Sequence, residues 1–394
     1  MKITKTVISV CLIFSLVFGT VLQVRAEKAE GYNGADKVQS MSFDFDVKSA
    51  YLMEATTGEM LFSKNETEIA DIASVTKVMT LLLVMEALEA GSFKLDDVVM
   101  ISSNAASMGG SQVFLEEGER ITVEELIKCA VIASANDASV ALAELVSGTE
   151  EAFVRKMNEK AGQLNLVNTY FENTTGLDDT TTNYNSCAYD IAVLSRELIK
   201  YPLILKYSSR WQDSIRGGEM VLTNTNRLIR YYDGCNGLKT GSTDKAGFCI
   251  TTTAKRGNMQ LIAVILGAKT KDERNAAARA LLDFGFANFA LYESREAYLE
   301  NIPVLKGKSD TVGAYFKDFY CVVEKSRLSS VEKIYDIPEN VTAPVKQGDT
   351  VGSITYLLDG VELGRSEIYV CETVSEINLF EVIVRILSKI IVGK

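Results

Sequence analysis

The run from Ser74 to Ala90, Ser-Val-Thr-Lys-Val-Met-Thr-Leu-Leu-Leu-Val-Met-Glu-Ala-Leu-Glu-Ala, constrains the fold more than any other stretch of this chain. Its period is helical and Gly91 stops it. Val78, Met79, Leu81, Leu82, Leu83, Val84 and Leu88 leave almost no polar face. A helix apolar nearly all round does not lie on a surface, so the domain has to enclose it. Lys77 sits in the first turn of that run, and lysine is rarely buried without a role. Ser74 stands three residues before it. Positions i and i+3 share a helix face, so the amine can reach the hydroxyl.

The elements around this helix read as an α+β domain. Ser49 to Ser63 is a hairpin about the turn Ala55-Thr-Thr-Gly58. Further helices are expected over Val123 to Val146, Glu151 to Leu164 and Ala188 to Lys200. The period then changes. Gly237 to Gly241, Phe248 to Ala254 and Gln260 to Gly267 are strand-like, and Asp272 to Phe286 is helical again. An antiparallel sheet packed with helices follows. After about residue 295 come short alternating strands, among them Tyr315 to Val323, Ala343 to Ile354 and Glu367 to Cys371, which suggest a small all-β domain.

Both ends of the chain differ from its middle. Lys2 and Lys5, the apolar run Val7 to Leu22 and Val24-Arg25-Ala26 have the form of an export signal cut after Ala26. Its removal takes three positive charges and moves the net charge from -11 to -14. At the other end, Asn378, Glu381, Arg385 and Ser388 or Lys389 share one face of a C-terminal amphipathic helix whose remainder is Ile, Leu, Phe and Val. That pattern fits an anchor lying on a membrane surface, with a helix docked on the β domain as the plainer reading. The expected division is thus signal 1–26, catalytic domain 27–295, β domain 296–373 and anchor 374–394.

With 47% hydrophobic and 24% charged residues the chain can bury a substantial core, and its acidic balance argues against nucleic acid as a partner. Six cysteines remain after Cys11 leaves with the signal, too sparse for a disulfide scaffold. Cys129 reads as a buried free thiol, and Cys321 and Cys371 as a possible pair. Without histidine or a Cys-x-x-Cys pattern there is little to bind zinc, and no metal or other cofactor is expected.

Three groups could carry chemistry, and each has a bland alternative. Ser-x-x-Lys occurs at Ser74/Lys77, Ser242/Lys245 and Ser330/Lys333, but only the first opens a helix. There the alternative is an N-cap serine with a solvated lysine. Ser134-Ala-Asn136 ends an apolar run and offers a hydroxyl and an amide, or merely a cap and a turn. Lys239-Thr240-Gly241 lies in a strand where Gly241 exposes backbone to a ligand, and the lysine and adjoining hydroxyls suit a carboxylate. A solvated edge charge would explain that lysine equally.

In this order the three groups match the Ser-x-x-Lys, Ser-x-Asn, Lys-Thr-Gly set of penicillin-interacting serine acyl enzymes. Ser74-Val-Thr-Lys-Val-Met-Thr80, Ser134-Ala-Asn-Asp-Ala138, Asn173-Thr-Thr-Gly-Leu177, Asn224-Thr-Asn226 and Gly237-Leu-Lys-Thr-Gly-Ser-Thr243 resemble those of the serine-type D-alanyl-D-alanine carboxypeptidases, the low-molecular-mass penicillin-binding proteins. So does the layout of signal, catalytic domain, β domain and terminal helix. In Asn185-Ser-Cys-Ala-Tyr-Asp190, Cys187 stands where the family often has threonine.

The resemblance implies that Ser74 attacks the carbonyl of the penultimate D-Ala, with the N–H groups of Ser74 and Ser242 as oxyanion hole. It further implies that Ser134 relays a proton to the leaving nitrogen, that Asn136 holds the substrate amide, and that Lys239 and Thr240, beside Gly241 and Ser242, bind the terminal carboxylate. With no histidine, the base for Ser74 has to be Lys77. Its pKa must then fall through desolvation and a second cation, for which Lys239 is the candidate. The expected substrate is a peptidoglycan stem peptide ending in D-Ala-D-Ala, the expected covalent inhibitors are β-lactams, and the expected place is the outer face of the membrane or the wall. A class A-like β-lactamase shares the motifs but uses a glutamate four residues before an asparagine, a pair missing from 148–176. A transpeptidase differs only in the attacking amine, and a silent wall-binding protein would be expected to lack Ser74, Lys77 or Lys239.

Overall fold

A computed structural model describes residues 43, 45–177 and 185–392; the segment read as an export signal lies outside them. Strands β1 (Ser49–Glu54) and β2 (Met60–Lys64) form the first hairpin. Strands β3 (Cys235–Thr243), β4 (Gly247–Arg256) and β5 (Met259–Ala268) follow one another antiparallel. β1 pairs with β5, Ser49 opposite Leu266, which closes a five-stranded sheet in the order β2-β1-β5-β4-β3.

Both faces of this sheet are covered. Tyr51, Met53, Ile262, Val264 and Leu266 join the larger core. Ala50, Leu52, Leu261, Ala263 and Ile265 join a second core under helix α6 (Lys271–Asn288). β5 therefore reads as an unbroken Leu-Ile-Ala-Val-Ile-Leu, because neither face meets water.

The larger core is built around α1 (Lys77–Glu89), whose residues from Lys77 to Met85 are all buried. Packed about it are α3 (Asn136–Ser147), α4 (Glu150–Gln163) and α5 (Ala188–Leu198). The caps are local sequence chemistry. Thr122 and Glu125 form a capping box on α2 (Val123–Lys128), while Thr149 and Thr270 cap α4 and α6. Cys187 caps α5, its sulfur accepting from Asp190 N at 3.4 Å, so the thiol takes the place of a hydroxyl there.

Two expectations about these helices are corrected. The stretch Val123 to Val146 is two helices: α2 runs into a π-turn over Cys129–Ala133, Ser134 turns left-handed at φ +62°, and α3 restarts at Asn136. The apolar period continues across the break because both halves bury into one core, so periodicity does not mark it. The helix read from Ser74 also starts later, since Ser74 lies in a single 3-10 turn, Ala73–Thr76, ahead of α1.

Beyond α6, β6 (Phe289–Ser294) pairs with β9 (Phe319–Glu324). Strands β7 (Ala297–Leu305), β8 (Thr311–Phe316), β10 (Val331–Asp336), β11 (Val341–Thr342), β12 (Thr350–Leu358) and β13 (Val361–Val370) form a sheet in the order β10-β12-β13-β8-β7-β11. Tyr315 to Val323 is thus two strands in separate sheets. The suggested Cys321–Cys371 pair is not formed: Cys321 lies opposite Tyr292 on β6, while Cys371 follows β13 against Gly313. All six cysteines among the described residues are free thiols, Cys129 buried as expected.

The chain ends in α7 (Leu379–Val392). Its polar edge is tied to the β7–β8 loop by Lys308 Nζ to Glu381 Oε1 at 2.6 Å and by Arg385 Nη1 to Asp310 Oδ1 at 2.9 Å. Phe380, Ile383, Ile386, Leu387, Ile390 and Ile391 remain exposed.

Candidate active site

Four separate segments converge where the 3-10 turn enters α1. The Lys77 ammonium nitrogen, buried at 0% exposure, lies 2.9 Å from Ser74 Oγ, 2.6 Å from Asn136 Oδ1 and 2.7 Å from the Thr175 carbonyl. Asn136 can offer that oxygen because its Nδ2 donates to Gly109 O at 2.7 Å, which sets the amide's orientation. The Thr175 carbonyl is aimed by a turn in which Asn173 Oδ1 accepts from Thr175 N and Gly176 N. Thr80 Oγ1 pins the same turn by donating to Thr174 O at 2.7 Å.

Lys239 comes from the other side, on β3. It is 1% exposed and donates to Ser134 Oγ at 2.7 Å and to Thr240 O at 2.9 Å. Thr240 Oγ1 donates to Thr225 Oγ1 at 2.8 Å. Thr225 is held by its neighbours: Asn224 Nδ2 donates to Ser208 O and Arg210 O, and Asn226 Nδ2 donates to Gly237 O. Asp137, next to Asn136, accepts from Val113 N and Leu115 N and so fixes the loop that carries Ser111.

The cleft above these groups has a volume of ≈ 280 Å³ and is lined by Ser74, Ser111, Ser134, Thr225, Arg227, Thr240, Gly241, Ser242, Lys271 and Arg274. All eight residues singled out from the sequence therefore meet here. Ser74, Ser134, Thr240, Gly241 and Ser242 face the cleft, and Lys77, Asn136 and Lys239 lie beneath it. Arg274, Arg227, Lys271, Ser111 and Thr225 were not anticipated as single residues. Arg274 and Lys271 lie in the first turn of α6, which the sequence marks only as a helix.

Burial dominates the electrostatics. It drives the Lys77 amine well below the ordinary lysine value, with the nearby Lys239 pushing the same way and Asp137 opposing. Lys239 is pushed down to about 7, first by burial and then by Arg274. Burial lowers Arg274 as well, to about 10. Among the described residues Arg274 has no carboxylate partner; its guanidinium rests on Asn275 Oδ1 and reaches Cys249 O at 3.5 Å. The site thus concentrates positive charge at one end of a cleft in an acidic chain.

The backbone is strained at this point. Ala73 and Ser134, neither a glycine, hold φ of +47° and +62°. Gly241 allows β3 to pass close to the turn that carries Ser74, since a Cβ there would stand 2.7 Å from Ile72 O and 2.8 Å from Ser74 N. Gly176, at φ +78°, admits no side chain at all: its Cβ would stand 1.9 Å from Ala73 O.

Comparison with known proteins now decides the family. Residues 35–270 match the family model described as D-alanyl-D-alanine carboxypeptidase, and residues 286–376 match that of the penicillin-binding protein 5 C-terminal domain. The chain belongs to the D-alanyl-D-alanine carboxypeptidase family. It is 42% identical to the carboxypeptidase DacF of Bacillus subtilis, over 91% of this chain and 92% of the relative. It is 31% identical to DacA of Escherichia coli K12, covering 85% of each. Among solved structures it resembles penicillin binding protein 5 of Haemophilus influenzae, with TM-score 0.74 and 31% identity, covering 85% of this chain and 99% of that one. The chain is a D-alanyl-D-alanine carboxypeptidase, a serine hydrolase acting on peptidoglycan.

Gly176→Ala is expected to lower the free energy of urea unfolding by at least about 1 kcal/mol, because both the φ and the Ala73 carbonyl exclude a Cβ. A midpoint and slope equal to those of the parent chain would show that the Ala73–Gly176 packing is not as described.

Proposed function

We propose that the chain removes the terminal D-Ala of peptidoglycan pentapeptides through an acyl-enzyme on Ser74, with Lys77 as the base. One observation carries this reading: two of the three partners of Lys77 Nζ, Asn136 Oδ1 and Thr175 O, are pure acceptors, and the third is the Ser74 hydroxyl. A neutral lysine has two N–H donors and one lone pair. With both donors engaged by the carbonyl oxygens, the lone pair is left for the Ser74 proton.

Attack of Ser74 Oγ on the carbonyl of the penultimate D-Ala forms the C–O bond while its proton passes to Lys77. The backbone N–H groups of Ser74 and Ser242 receive the developing oxyanion. Ser134 hands a proton to the leaving D-Ala nitrogen as the C–N bond breaks, and regains the one that Lys77 took from Ser74, which leaves Lys77 neutral again. Its hydroxyl accepts from Lys239, which leaves its own proton free to donate. Asn136 Nδ2 and the edge of β3 hold the peptide, while Lys239, Thr240 and the buried Arg274 receive the terminal carboxylate. Water then attacks the ester, with Lys77 again taking a proton. β-Lactams would acylate Ser74 by the same first step.

We also propose export through residues 1–26, and contact of α7 with the outer face of the cytoplasmic membrane. Among the described residues no helix is long and apolar enough to cross a membrane. The docked polar edge and exposed apolar arc of α7 support an interfacial position instead. The division into a catalytic unit to about residue 295, a β unit to 373 and the terminal helix belongs to the same proposal.

Intact mass after addition of excess penicillin is expected to show a lasting one-to-one adduct on Ser74, with acylation slowed by at least about a hundredfold in Lys77→Ala. Near-normal acylation in that variant contradicts the assignment of the base. Fast catalytic loss of the drug with a fleeting adduct would point to a β-lactamase.

The pH dependence has a definite sign. Lys77 works only after losing its proton, so kcat/KM on a D-Ala-D-Ala peptide should rise with pH on the acid side. Lys239 binds carboxylate only while charged, and its pKa near 7 in the free enzyme brings kcat/KM down again above that point. In Lys239→Arg the falling limb should move to higher pH, since guanidinium keeps its proton. An unmoved limb would assign it to another group.

Removing the chain from Leu379 onward should abolish flotation with anionic lipid vesicles while leaving turnover of a soluble peptide intact. Undiminished flotation would remove the anchor from this account.

A further inference from the structure

The cleft carries more positive charge than one peptide carboxylate uses. None of the residues lining it is a carboxylate, while Arg227, Lys271 and Arg274 are cations. The α-carboxylate of the departing residue is already met by Lys239, Thr240 and Arg274. Arg227 and Lys271 are left over, both exposed at the rim. Lys271 lies three residues before Arg274 on α6, and so on the same helix face. Among the described residues Lys271 forms no ion pair. Arg227 pairs there only with Asp272, at 3.7 Å and with both side chains largely exposed, a contact that contributes little.

Arg227 also lines a second hollow, of ≈ 260 Å³, which adjoins the cleft there. Asn275 and Arg279 line that hollow from α6, and Tyr231 lines it from the short helix Leu228–Tyr231. Arg279 Nη2 donates to Tyr231 O at 3.1 Å and ties these two walls together. Asp272 is the only carboxylate among the described residues lining the hollow, against the two guanidinium groups. From this arrangement we infer that the departing residue need not be alanine: the site accepts a terminal D-residue with an acidic side chain, of the D-glutamate class, whose side-chain carboxylate is received by Arg227 and Lys271. The inference rests on the reading of Ser74, Lys77 and Lys239 as a carboxypeptidase site. The scissile bond and the acyl-enzyme are unchanged, and the departing amine still takes its proton from Ser134; only the amino acid released differs.

Charge sets the preference. In a chain of net charge -11, a cleft with cations in its wall and no carboxylate is an exception, and a cleft lined by one sign of charge concentrates the opposite one. A methyl side chain offers Arg227 and Lys271 nothing. A second carboxylate gives both a partner, in place of the loose Arg227–Asp272 contact. A basic side chain would be repelled. A neutral amide of the same shape would gain packing alone, so D-glutamine in place of D-glutamate isolates the charge.

The test compares kcat/KM of the mature full-length chain on three soluble peptides that share the penultimate D-Ala and end in D-Ala, D-Glu or D-Gln. The parent should cleave the D-Glu peptide at least about fivefold better than the D-Gln peptide. Arg227→Ser and Lys271→Ser should each lower that ratio by about threefold. Arg227→Lys, which keeps the charge, should retain most of it. Both side chains are exposed, so these variants change charge and not the core. A parent ratio of one or below overturns the inference, and so does a ratio that survives in both serine variants. Equal losses on all three peptides also overturn it, because the cations would then act only on the α-carboxylate that all three share. Failure of the parent to hydrolyse even the D-Ala peptide would instead count against the catalytic reading.

Discussion

Lys77 Nζ is held out of water on a helix with apolar neighbours, between one hydroxyl and two carbonyl oxygens. Desolvating an ammonium is unfavourable by several kcal/mol unless the group is paired or gives up its proton. Here among the described residues no carboxylate forms an ion pair with it, and Lys239 adds a second positive group close by. These surroundings favour the neutral amine over the ammonium.

Each partner of that amine comes from a different part of the chain. Ser74 is presented by the strained turn after Ala73, Asn136 by the restart of α3, the Thr175 carbonyl by the Asn173 turn, and Lys239 by β3. Gly176 and Gly241 let two of these segments approach the turn that carries Ser74 at distances that a Cβ would prevent. The large core clamps α1 and with it Lys77, while the other groups are placed by their own elements. On the proposed mechanism an apolar helix carries the base because its rigidity and its dryness are the same property.

Much of this was legible in the sequence because it is local. A serine three residues before a lysine, at the head of an apolar helix, puts the two within reach and argues for burial of the lysine, whereas Lys239-Thr-Gly in a strand gains meaning only as the third member of the ordered set. Other parts were not legible. Nothing in the sequence singles out Arg274 near the start of its helix, and only the packing of α6 against β4 turns it into the cleft. The break at Ser134 is hidden because hydrophobic periodicity runs through it. The Thr175 carbonyl is a backbone atom, and no residue type signals where it points. In the β unit, alternation marked strands at Tyr315 to Val323 but could not show that they enter two sheets.

The most direct measurement is the titration of Lys77 itself, followed by the carbon-13 shift of its ε-carbon in protein labelled on lysine and assigned with Lys77→Arg. The account predicts that this resonance titrates well below the ordinary lysine value of 10.5, and that it moves upward in Lys239→Met, where the neighbouring positive charge is gone. A Lys77 that titrates at the ordinary value or above it, or that ignores the loss of Lys239, would contradict the claim that this amine is the base.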